Sequence, residues 1–519
     1  MVVPVLFLSR RSAVRSVPFA AGVVLAAQLP IAQSAMAVPL SPNPNPSGDS
    51  IFFEGLNDRI VVESESPFEN AGFVGFEADA SFINSAFFNN LGSFSLANTA
   101  TLRNESTFEN LGSINLSEGR IANAGRLNNR GGLNTRSGGS DSIVNTGFFN
   151  NTGKVDLTVA RLENENTFNN AGLVSLNIAG IENAGRIENA GRIEQKFELA
   201  SIINNVGGTV LNRGEVREVP LDNQGLFVNR GLYNSSGQGA KRFINGATGT
   251  FLNNGSALVS TQVDSGGRSQ FINSGLIKGS GAFSAVNNSG PGFVLNGGMI
   301  APGGVFDANA VVDTAGVLTF EGDVALSGDS ILDISIGGLE ENAFDVLKVV
   351  DGDASLLGGR IQFSLLGDFE IDAALAPGDR RSLSFLTADS GVVEMGAEFD
   401  FSRIASEGLS YSVVQADGAL LLNVEKSVAK NAAPKAPVPV EPISEQPVAE
   451  KPVLEQPMPV EPVPSVPTPP DVPIDFIPVP SDPVVSPRMP GAPVPKSVPE
   501  PSLLLGFLAV GGLGLRVRR

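Results

Sequence analysis

A short pattern of apolar and polar positions recurs between residues 67 and 304: a large apolar residue, any residue, Asn, any residue, Gly. Its apolar residues follow one another at intervals of 19 to 22 residues. They are Phe68, Phe88, Phe108, Leu127, Phe149, Phe168 and Ile187. A shorter period of six residues lies within each interval, as in the run from Ile181 through Ile187 to Ile193. Self-similarity at a fixed period is typical of a solenoid, in which each repeat packs only on its neighbours.

The same pattern predicts strands and not helices. Amphipathic helices need apolar residues three and four positions apart, and the frequent glycines would destabilise them. Three six-residue segments with a turn residue or two make one interval, so we predict an all-β fold, a parallel β-helix with three short strands per turn. A strict hexapeptide repeat is typical of a left-handed prism, but intervals of 19 to 22 residues with drift favour the right-handed form.

The Asn and Gly residues of the pattern are interpreted as structural. Asn tolerates left-handed backbone angles and Gly suits positions where other residues are strained, so the pair is expected to form a corner. Asn side chains stacked in register also hydrogen-bond along the axis of parallel strands. The predicted structural positions are Asn90, Asn110, Asn151, Asn170, Asn189, Gly92, Gly112, Gly153, Gly172 and Gly191.

Residues 305–424 lack the repeat but alternate strand-like runs with turn signals such as Ser327-Gly-Asp329. A "G-x-L-x-F-x-G-D" run extends from Gly316 to Asp323, and an "F/Y-D-x-L-x-V" run extends from Phe344 to Val349. Their order resembles the C-terminal segments of passenger β-helices in autotransporters and other surface proteins. The resemblance implies a β-rich continuation or cap of the solenoid. Such a cap would cover the apolar interior and the strand edges at the end of the coil. Residues 38–66 are expected to form an N-terminal lead-in or cap.

Residues 1–37 have the features of a secretory signal peptide. Basic residues at 10, 11 and 15 precede an apolar stretch at 17–29, and Ala35-Met36-Ala37 is an A-x-A cleavage site. Ser9-Arg10-Arg11 suggests twin-arginine export, but the following Ser12-Ala13-Val14 fits that motif poorly. We therefore favour general secretion.

The C-terminal residues 498–519 contain Pro499-Glu500-Pro501, an apolar run from Ser502 to Leu515, and a basic end. The basic residues are Arg516, Arg518 and Arg519. The apolar run is short for a span of about 20 residues, and the arginines would remain on the cytoplasmic side. One interpretation is an ordinary C-terminal membrane anchor.

The whole arrangement also resembles the PEP-CTERM sorting signal of Gram-negative bacteria and cyanobacteria, with its short hydrophobic helix. The resemblance implies recognition by exosortase after export by the secretion machinery, with a transient stay in the inner membrane. Delivery to the cell surface or to an exopolysaccharide matrix would follow.

A proline-rich linker is predicted at 425–497. Proline occurs at every second to fourth position from residue 433 to 496, mixed with Val and Glu. Such a segment cannot pack a core, and we expect a disordered chain of extended polyproline II character. The weaker alternative is that this segment binds a proline-recognising domain. We favour it less because the chain is predicted to leave the cytosol.

The composition limits the kinds of catalytic and metal-binding site that the chain can form. The chain has neither Cys nor His, which removes thiolate sites and the commonest general base and metal ligand. Its net charge of −19 argues against a nucleic-acid partner. The carboxylate pairs Asp351/Asp353 and Glu340/Glu341 lie in turn-like stretches, where Asp and Gly are common for backbone reasons. We predict no cofactor and no metal site.

Two functions remain open. The first is a non-catalytic surface or matrix protein whose β-helix contacts exopolysaccharide, cells or copies of itself. The second is a polysaccharide-active β-helix enzyme, a lyase or glycosidase, delivered to the same matrix. Glu182, Glu188 and Glu194 are expected to alternate with Arg186 and Arg192 as a solvated charge ladder, so we predict a protein without catalytic activity.

Overall fold

The computed structural model describes most of the chain between Asn45 and Val428. The described ranges are 45–54, 59–62, 67–77, 80–136, 141–197, 199–235, 242–261, 271–286, 292–295, 297–307 and 309–428. The predicted signal peptide, sorting signal and nearly all of the proline-rich linker lie outside the described residues.

Short strands follow one another around a coil, and each full turn of the coil is termed a rung. One rung runs through Thr101–Asn104, Thr107–Asn110 and Ser113–Ser117. The next strand, Arg120–Asn123, then pairs in parallel with Thr101–Asn104, one rung earlier. Because most strands pair in parallel with the equivalent strand of the next rung, the all-β fold is a parallel β-solenoid, as predicted.

Within the described residues, the strands of successive rungs form three long sheets. Sheet 1 contains Phe68–Asn70, Phe87–Asn90, Thr107–Asn110, Arg126–Asn129, Phe148–Asn151, Thr167–Asn170, Arg186–Asn189, Thr209–Asn212, Leu226–Asn229, Thr250–Asn253, Leu276–Gly279, Met299–Pro302, Ile331–Ile336, Arg360–Leu365 and Glu398–Asp400. Sheet 2 contains Ser50–Glu54, Phe73–Glu77, Ser93–Ala97, Ser113–Ser117, Gly132–Thr135, Lys154–Thr158, Leu173–Asn177, Arg192–Gln195, Glu215–Arg217, Leu232–Asn234, Ser256–Ser260, Ala282–Val286, Val317–Glu321, Val346–Val350, Arg380–Ala388, Leu409–Ala416 and Ala419–Lys426.

Sheet 3 contains Arg59–Val62, Ser81–Asn84, Thr101–Asn104, Arg120–Asn123, Ser142–Asn145, Arg161–Asn164, Gly180–Asn183, Ser201–Asn204, Leu221–Asn223, Phe243–Asn245 and Phe271–Asn273. A fourth sheet follows it along the axis, with Phe293 packed on Phe271 at 5.3 Å between ring centroids. Its strands are Phe293–Leu295, Val324–Leu326, Asp353–Leu356 and Gly391–Glu394. An antiparallel hairpin pairs Val305–Asp307 with Ala310–Val312.

The solenoid begins earlier than the sequence predicted. Ser50–Glu54 pairs in parallel with Phe73–Glu77, so coiling has started by residue 50 and the predicted start at 67 was too late. Parallel pairing also continues beyond residue 304, to Glu398–Asp400. The last two strands of the described chain, Leu409–Ala416 and Ala419–Lys426, are antiparallel. Within the described ranges, Ile371–Ala374 is the only α-helix.

The core is a stack of inward-facing apolar side chains, one column per sheet. The rings of Phe88 and Phe108 stack with centroids 4.6 Å apart, and both side chains are fully buried. The sheet 1 column continues through residues buried in the same way. These are Leu127, Phe149, Phe168, Ile187, Val210, Phe227, Phe251, Ile277 and Ile300. Burial of these columns provides the main driving force for coiling.

The glycines of the repeat are required for a different reason than predicted. A Cβ built on Gly112 would fall on the carbonyl oxygen of Gly92, and Gly131 stands in the same relation to Gly112. Leu111 and Gly112 both donate their backbone N–H to the carbonyl of Asn90, at 2.8 and 2.9 Å. The close approach of successive rungs excludes a side chain here, whereas no positive φ occurs at these glycines.

Left-handed backbone instead occurs at the corner between sheets 2 and 3. Glu118, Val159, Ile178 and Glu218 have φ values of 63°, 51°, 53° and 57°. A positive φ is strained for β-branched residues, at about 1–2 kcal/mol per residue for non-glycine side chains. The corner at Ile178 therefore holds strain that a better-suited residue would relieve.

We expect Ile178→Asn to raise the free energy of unfolding by up to about 1 kcal/mol, because Asn tolerates this conformation. Ile178 is 47% exposed, so little apolar burial is lost. Denaturant unfolding measures the effect. Ile178→Ala is the control, since it removes the same side chain without relieving the backbone. Equal stabilities for the two variants would contradict the strain at this corner.

Candidate functional surface

Two columns of buried Asn side chains run along the corners of sheet 1 and sheet 3. The sheet 1 column is Asn45, Asn70, Asn90, Asn110, Asn129, Asn151, Asn170, Asn189, Asn212, Asn229 and Asn253. The sheet 3 column is Asn84, Asn104, Asn123, Asn145, Asn164, Asn183, Asn204, Asn223, Asn245 and Asn273. The predicted Asn positions of the repeat therefore lie in the interior and not on a ligand-facing surface.

The hydrogen bonds of these columns all run in one direction. The Nδ2 atom of Asn90 donates to Oδ1 of Asn110 at 2.7 Å and to the carbonyl of Ser113 at 3.1 Å. Equivalent amide–amide distances are 2.6–2.9 Å along the sheet 1 column. Buried polar groups need such partners, so each amide fixes the register of its rung on the next.

Charged residues on the outer faces mostly pair with one another. Glu182, Glu188 and Glu194 lie on the outer faces of sheets 3, 1 and 2 respectively, so the charges predicted to alternate with Arg186 and Arg192 are distributed over three faces. Their partners come from their own rung or the adjacent one: Arg186 Nε lies 2.6 Å from Glu188 Oε1, for example. Exposed ion pairs of this kind contribute little to stability, at most about 1 kcal/mol each.

The carboxylate pair Asp351/Asp353 lies at the turn that leads into the strand Asp353–Leu356. Asp351 adopts a φ of 52° in an exposed turn, and the N–H of Asp353 donates to Asp323 Oδ1 at 3.0 Å. Glu340 and Glu341 lie in the segment after Ile331–Ile336. Within the described ranges, no group of three or more acidic side chains is arranged to hold a metal ion.

One shallow depression follows the glycine corner between sheets 1 and 2. It has a volume of about 380 Å³ and is lined by Gly172, Leu173, Ala190, Gly191, Arg192, Gly214 and Glu215. Its two charged side chains are already paired, with Arg192 Nε 2.7 Å from Glu215 Oε2. The depression results from the absence of side chains at the corner, and its only carboxylate is engaged by this arginine.

A second hydrophobic cluster on the outer face of sheet 1 was not predicted. Leu211, Val228 and Leu252 point outward from successive strands and pack with Phe306. Phe306 belongs to the hairpin of Val305–Asp307 and Ala310–Val312, termed the strap. The guanidinium of Arg230 donates to the carbonyl of Phe306, and Asn254 Nδ2 donates to the carbonyl of Gly304 at 3.1 Å. The strap therefore shields three outward apolar residues.

Two buried charged residues lie beyond the strap and were not predicted from the sequence: Lys278 and Asp345. Lys278 Nζ lies 2.6 Å from Asp313 Oδ1. Asp345 accepts the N–H of Gly316 at 3.0 Å and that of Ser335 at 3.0 Å. Burial raises the pKa of Asp345 to about 7, against the opposing effects of these hydrogen bonds and of Lys278. Asp345 is the acidic residue of the "F-D-x-L-x-V" run, which was the available signal.

We expect Asp345 to make the stability of the fold fall as the pH rises from about 4 to 7. Its pKa in the folded state, about 7, lies above the unfolded value near 3.9, so the folded state retains a proton that the unfolded state has lost. One such group changes the free energy of unfolding by at most about 1.4 kcal/mol per pH unit, and this dependence vanishes above pH 7.

The measurement compares unfolding free energies of the wild type and Asp345→Asn across this pH range. Asp353→Asn, at the exposed first residue of the strand Asp353–Leu356, is the control. The difference between wild type and Asp345→Asn should shrink as the pH rises towards 7. A difference independent of pH would contradict the buried, protonated state of Asp345.

Together these features define a parallel β-solenoid protein whose buried polar columns are architectural. Comparison with protein-family models gives no match, and comparison with curated proteins gives none either. Among the residues described, no helix has the length and apolar character needed to cross a membrane.

Proposed function

We propose that this chain is a non-catalytic protein of the cell surface or extracellular matrix, sorted through a PEP-CTERM signal. The observation that supports the proposal is the regularity of the solenoid. Its internal amides hydrogen-bond to one another, and its outer faces carry ion pairs that recur on several rungs. Such a body suits extended contact with a polymer better than recognition of a small molecule.

The remaining parts of the chain fit this proposal. The antiparallel strands Leu409–Ala416 and Ala419–Lys426 act as the C-terminal cap of a right-handed coil, protecting its last rungs. The proline-rich linker serves as a stalk between this body and the membrane before cleavage. Exosortase recognises Pro499-Glu500-Pro501, removes the tail and releases the protein through the inner membrane to the surface of a Gram-negative bacterium or cyanobacterium.

The sorting step is tested by replacing Pro499, Glu500 and Pro501 with alanine in the producing cell. Mass spectrometry of the mature C-terminus should show a new end near the motif in the wild type and an uncut, membrane-associated chain in the variant. Unchanged processing and delivery of the variant would refute the exosortase step.

The matrix role is tested with the purified mature protein and the extracellular polysaccharide of the producing cells. We expect the protein to co-sediment with the polysaccharide and to release neither reducing ends nor unsaturated products. Reproducible turnover would replace the proposal with the alternative, a polysaccharide-active enzyme. If the protein does not co-sediment, a structural role would have to rest on self-association of the protein. Sedimentation velocity measures that self-association.

A further inference from the structure

A local reversal of charge marks one rung of the solenoid. The whole chain carries 54 acidic and 35 basic residues, yet the stretch from 119 to 140 contains four arginines and no Asp or Glu. The four are Arg120, Arg126, Arg130 and Arg136, and all are exposed. Positive charge is therefore concentrated on one rung of an otherwise acidic protein.

Two of these arginines also differ in their contacts from six other arginines of the solenoid. Arg103, Arg161, Arg186, Arg192, Arg213 and Arg217 each pair with a glutamate. Arg126 and Arg130, by contrast, make no ion pair with any described residue. Arg126 begins a strand of sheet 1 and Arg130 follows its last residue, so their Cα atoms lie about 13 Å apart at the usual rise of a strand.

Between and beside these two arginines lies a flat row of amides. Asn128, Asn150 and Asn169 occupy register positions on three successive strands. Asn150 Nδ2 donates to Asn128 Oδ1 at 2.7 Å, and Asn169 Nδ2 donates to Asn150 Oδ1 at 2.9 Å. These hydrogen bonds hold the amides in fixed orientations on the outer surface. They belong to an outward row, separate from the buried column at Asn129 and Asn151.

An exposed aromatic ring completes this area. Phe148 is 46% exposed and lies on the strand that follows Arg126–Asn129. The guanidinium carbon of Arg126 lies 5.5 Å from the centroid of its ring. The set of Arg126, Asn128, Arg130, Phe148, Asn150 and Asn169 is termed the arginine–amide face. Along the outer side of sheet 1 and its corner, it combines two guanidinium groups that have no carboxylate partner among the described residues, fixed amides and an apolar ring.

We propose that the arginine–amide face binds an acidic, carboxylate-bearing polysaccharide, an inference that rests on the proposed matrix function and names the ligand class. Guanidinium groups bind carboxylates through paired hydrogen bonds, while amides and an aromatic face suit the hydroxyl groups and C–H surfaces of sugar rings. Nucleic acid is the less favoured ligand, because its phosphates, one charge per about 1.7 Å of duplex, are repelled by the net charge of −19 more strongly than a polysaccharide with one carboxylate per sugar.

The adjoining acid provides an internal test of this assignment. Glu109 lies one rung before Asn128, and its Oε1 accepts a hydrogen bond from Asn128 Nδ2 at 2.5 Å. Its negative charge opposes an anionic ligand at the edge of the face. Replacement by glutamine should therefore strengthen binding, an effect that a purely structural role of the face would not produce.

The experiment measures binding of the mature protein to polygalacturonate, with neutral dextran and duplex DNA as comparison polymers. The double variant Arg126→Gln/Arg130→Gln should raise the dissociation constant for polygalacturonate at least about tenfold, as expected for loss of two charge-assisted contacts. Arg161→Gln/Arg217→Gln removes the same charge from ion-paired arginines on sheets 3 and 2. This matched control should change the constant no more than about twofold, because it alters only the long-range field of the protein.

The outcomes separate the inference from the proposed function. Tighter binding of Glu109→Gln and selective loss in Arg126→Gln/Arg130→Gln would support the face. No binding of polygalacturonate, equal losses in both double variants, or equal binding of dextran or DNA would overturn it. The matrix role would still be decided by co-sedimentation with the native polysaccharide. Unchanged thermal midpoints establish that the variants remain folded.

Discussion

Asn110→Ala is expected to lower the free energy of unfolding by about 3 kcal/mol or more, since each orphaned buried polar group costs about 1–3 kcal/mol. The Asn110 side chain donates to Asn129 Oδ1 at 2.6 Å and to the carbonyl of Gly132 at 3.1 Å. It also accepts from Asn90 Nδ2 at 2.7 Å. The substitution therefore interrupts the sheet 1 column and leaves acceptors on the following rung without a donor. Denaturant unfolding measures the loss.

Two further variants make this test specific. Asn115→Ala removes an outward, partly buried amide from the next strand along and should change stability by no more than about 0.5 kcal/mol. Asn110→Asp keeps the shape but removes the donor at neutral pH, so its stability relative to the wild type should improve on acidification. Similar losses for Asn110→Ala and Asn115→Ala would mean that the buried column does not hold the rungs in register.

Gly112→Ala is expected to destabilise the fold by about 3 kcal/mol, at the upper end of the usual range for overpacking. The new methyl group would meet the backbone carbonyl of Gly92, which cannot rotate away as a side chain would. Relief requires separating two rungs, which also weakens the hydrogen bonds from Leu111 and Gly112 to Asn90. Denaturant or thermal unfolding reports the change.

Gly180→Ala provides the matched comparison within the same solenoid. A Cβ at Gly180 meets only the carbonyl oxygen of Ser201, at 3.9 Å, an ordinary contact distance. This variant should be neutral or slightly stabilising, because alanine restricts the unfolded chain. Comparable destabilisation by the two substitutions would contradict the close approach of rungs at Gly112.

The solenoid could be predicted from the sequence because the spacing of the repeated residues equals the length of one turn of the coil. Each interval of about 20 residues returns the chain to the same face, so an apolar residue, an Asn and a Gly fall in register with their equivalents. The role of Asn in stacked columns follows from the same register. The role of Gly was misassigned, because a glycine required by close approach and one required by positive φ look alike in a sequence.

Other features carry no periodic signal. The left-handed corner is occupied by Glu118, Val159, Ile178 and Glu218, a mixture of acidic and β-branched residues, so only the backbone reveals it. The start at residue 50 was missed because Ser50–Glu54 lacks the Asn and Gly of the repeat.

The strap depends on contacts between distant parts of the chain, such as Arg230 with the carbonyl of Phe306, 76 residues apart. A local pattern cannot indicate such a contact. The burial of Asp345 depends in the same way on segments that converge only in the folded state, around Gly316 and Ser335. Its place in the "F-D-x-L-x-V" run marked the residue but not its environment.

Disulfide trapping tests the central claim, that successive rungs stack in register on one shared axis. The chain has no native Cys, so a pair introduced at Asn89 and Glu109 has no competitor. These outward residues are register partners on adjacent strands of sheet 1, and neighbouring strands about 4.8 Å apart fall within the Cα range that disulfides span. The account predicts efficient oxidation of Asn89→Cys/Glu109→Cys and little of Asn89→Cys/Asn115→Cys, which places the second thiol on sheet 2. Absence of the first cross-link, or equal yields of both, would contradict the solenoid and every surface assigned to it.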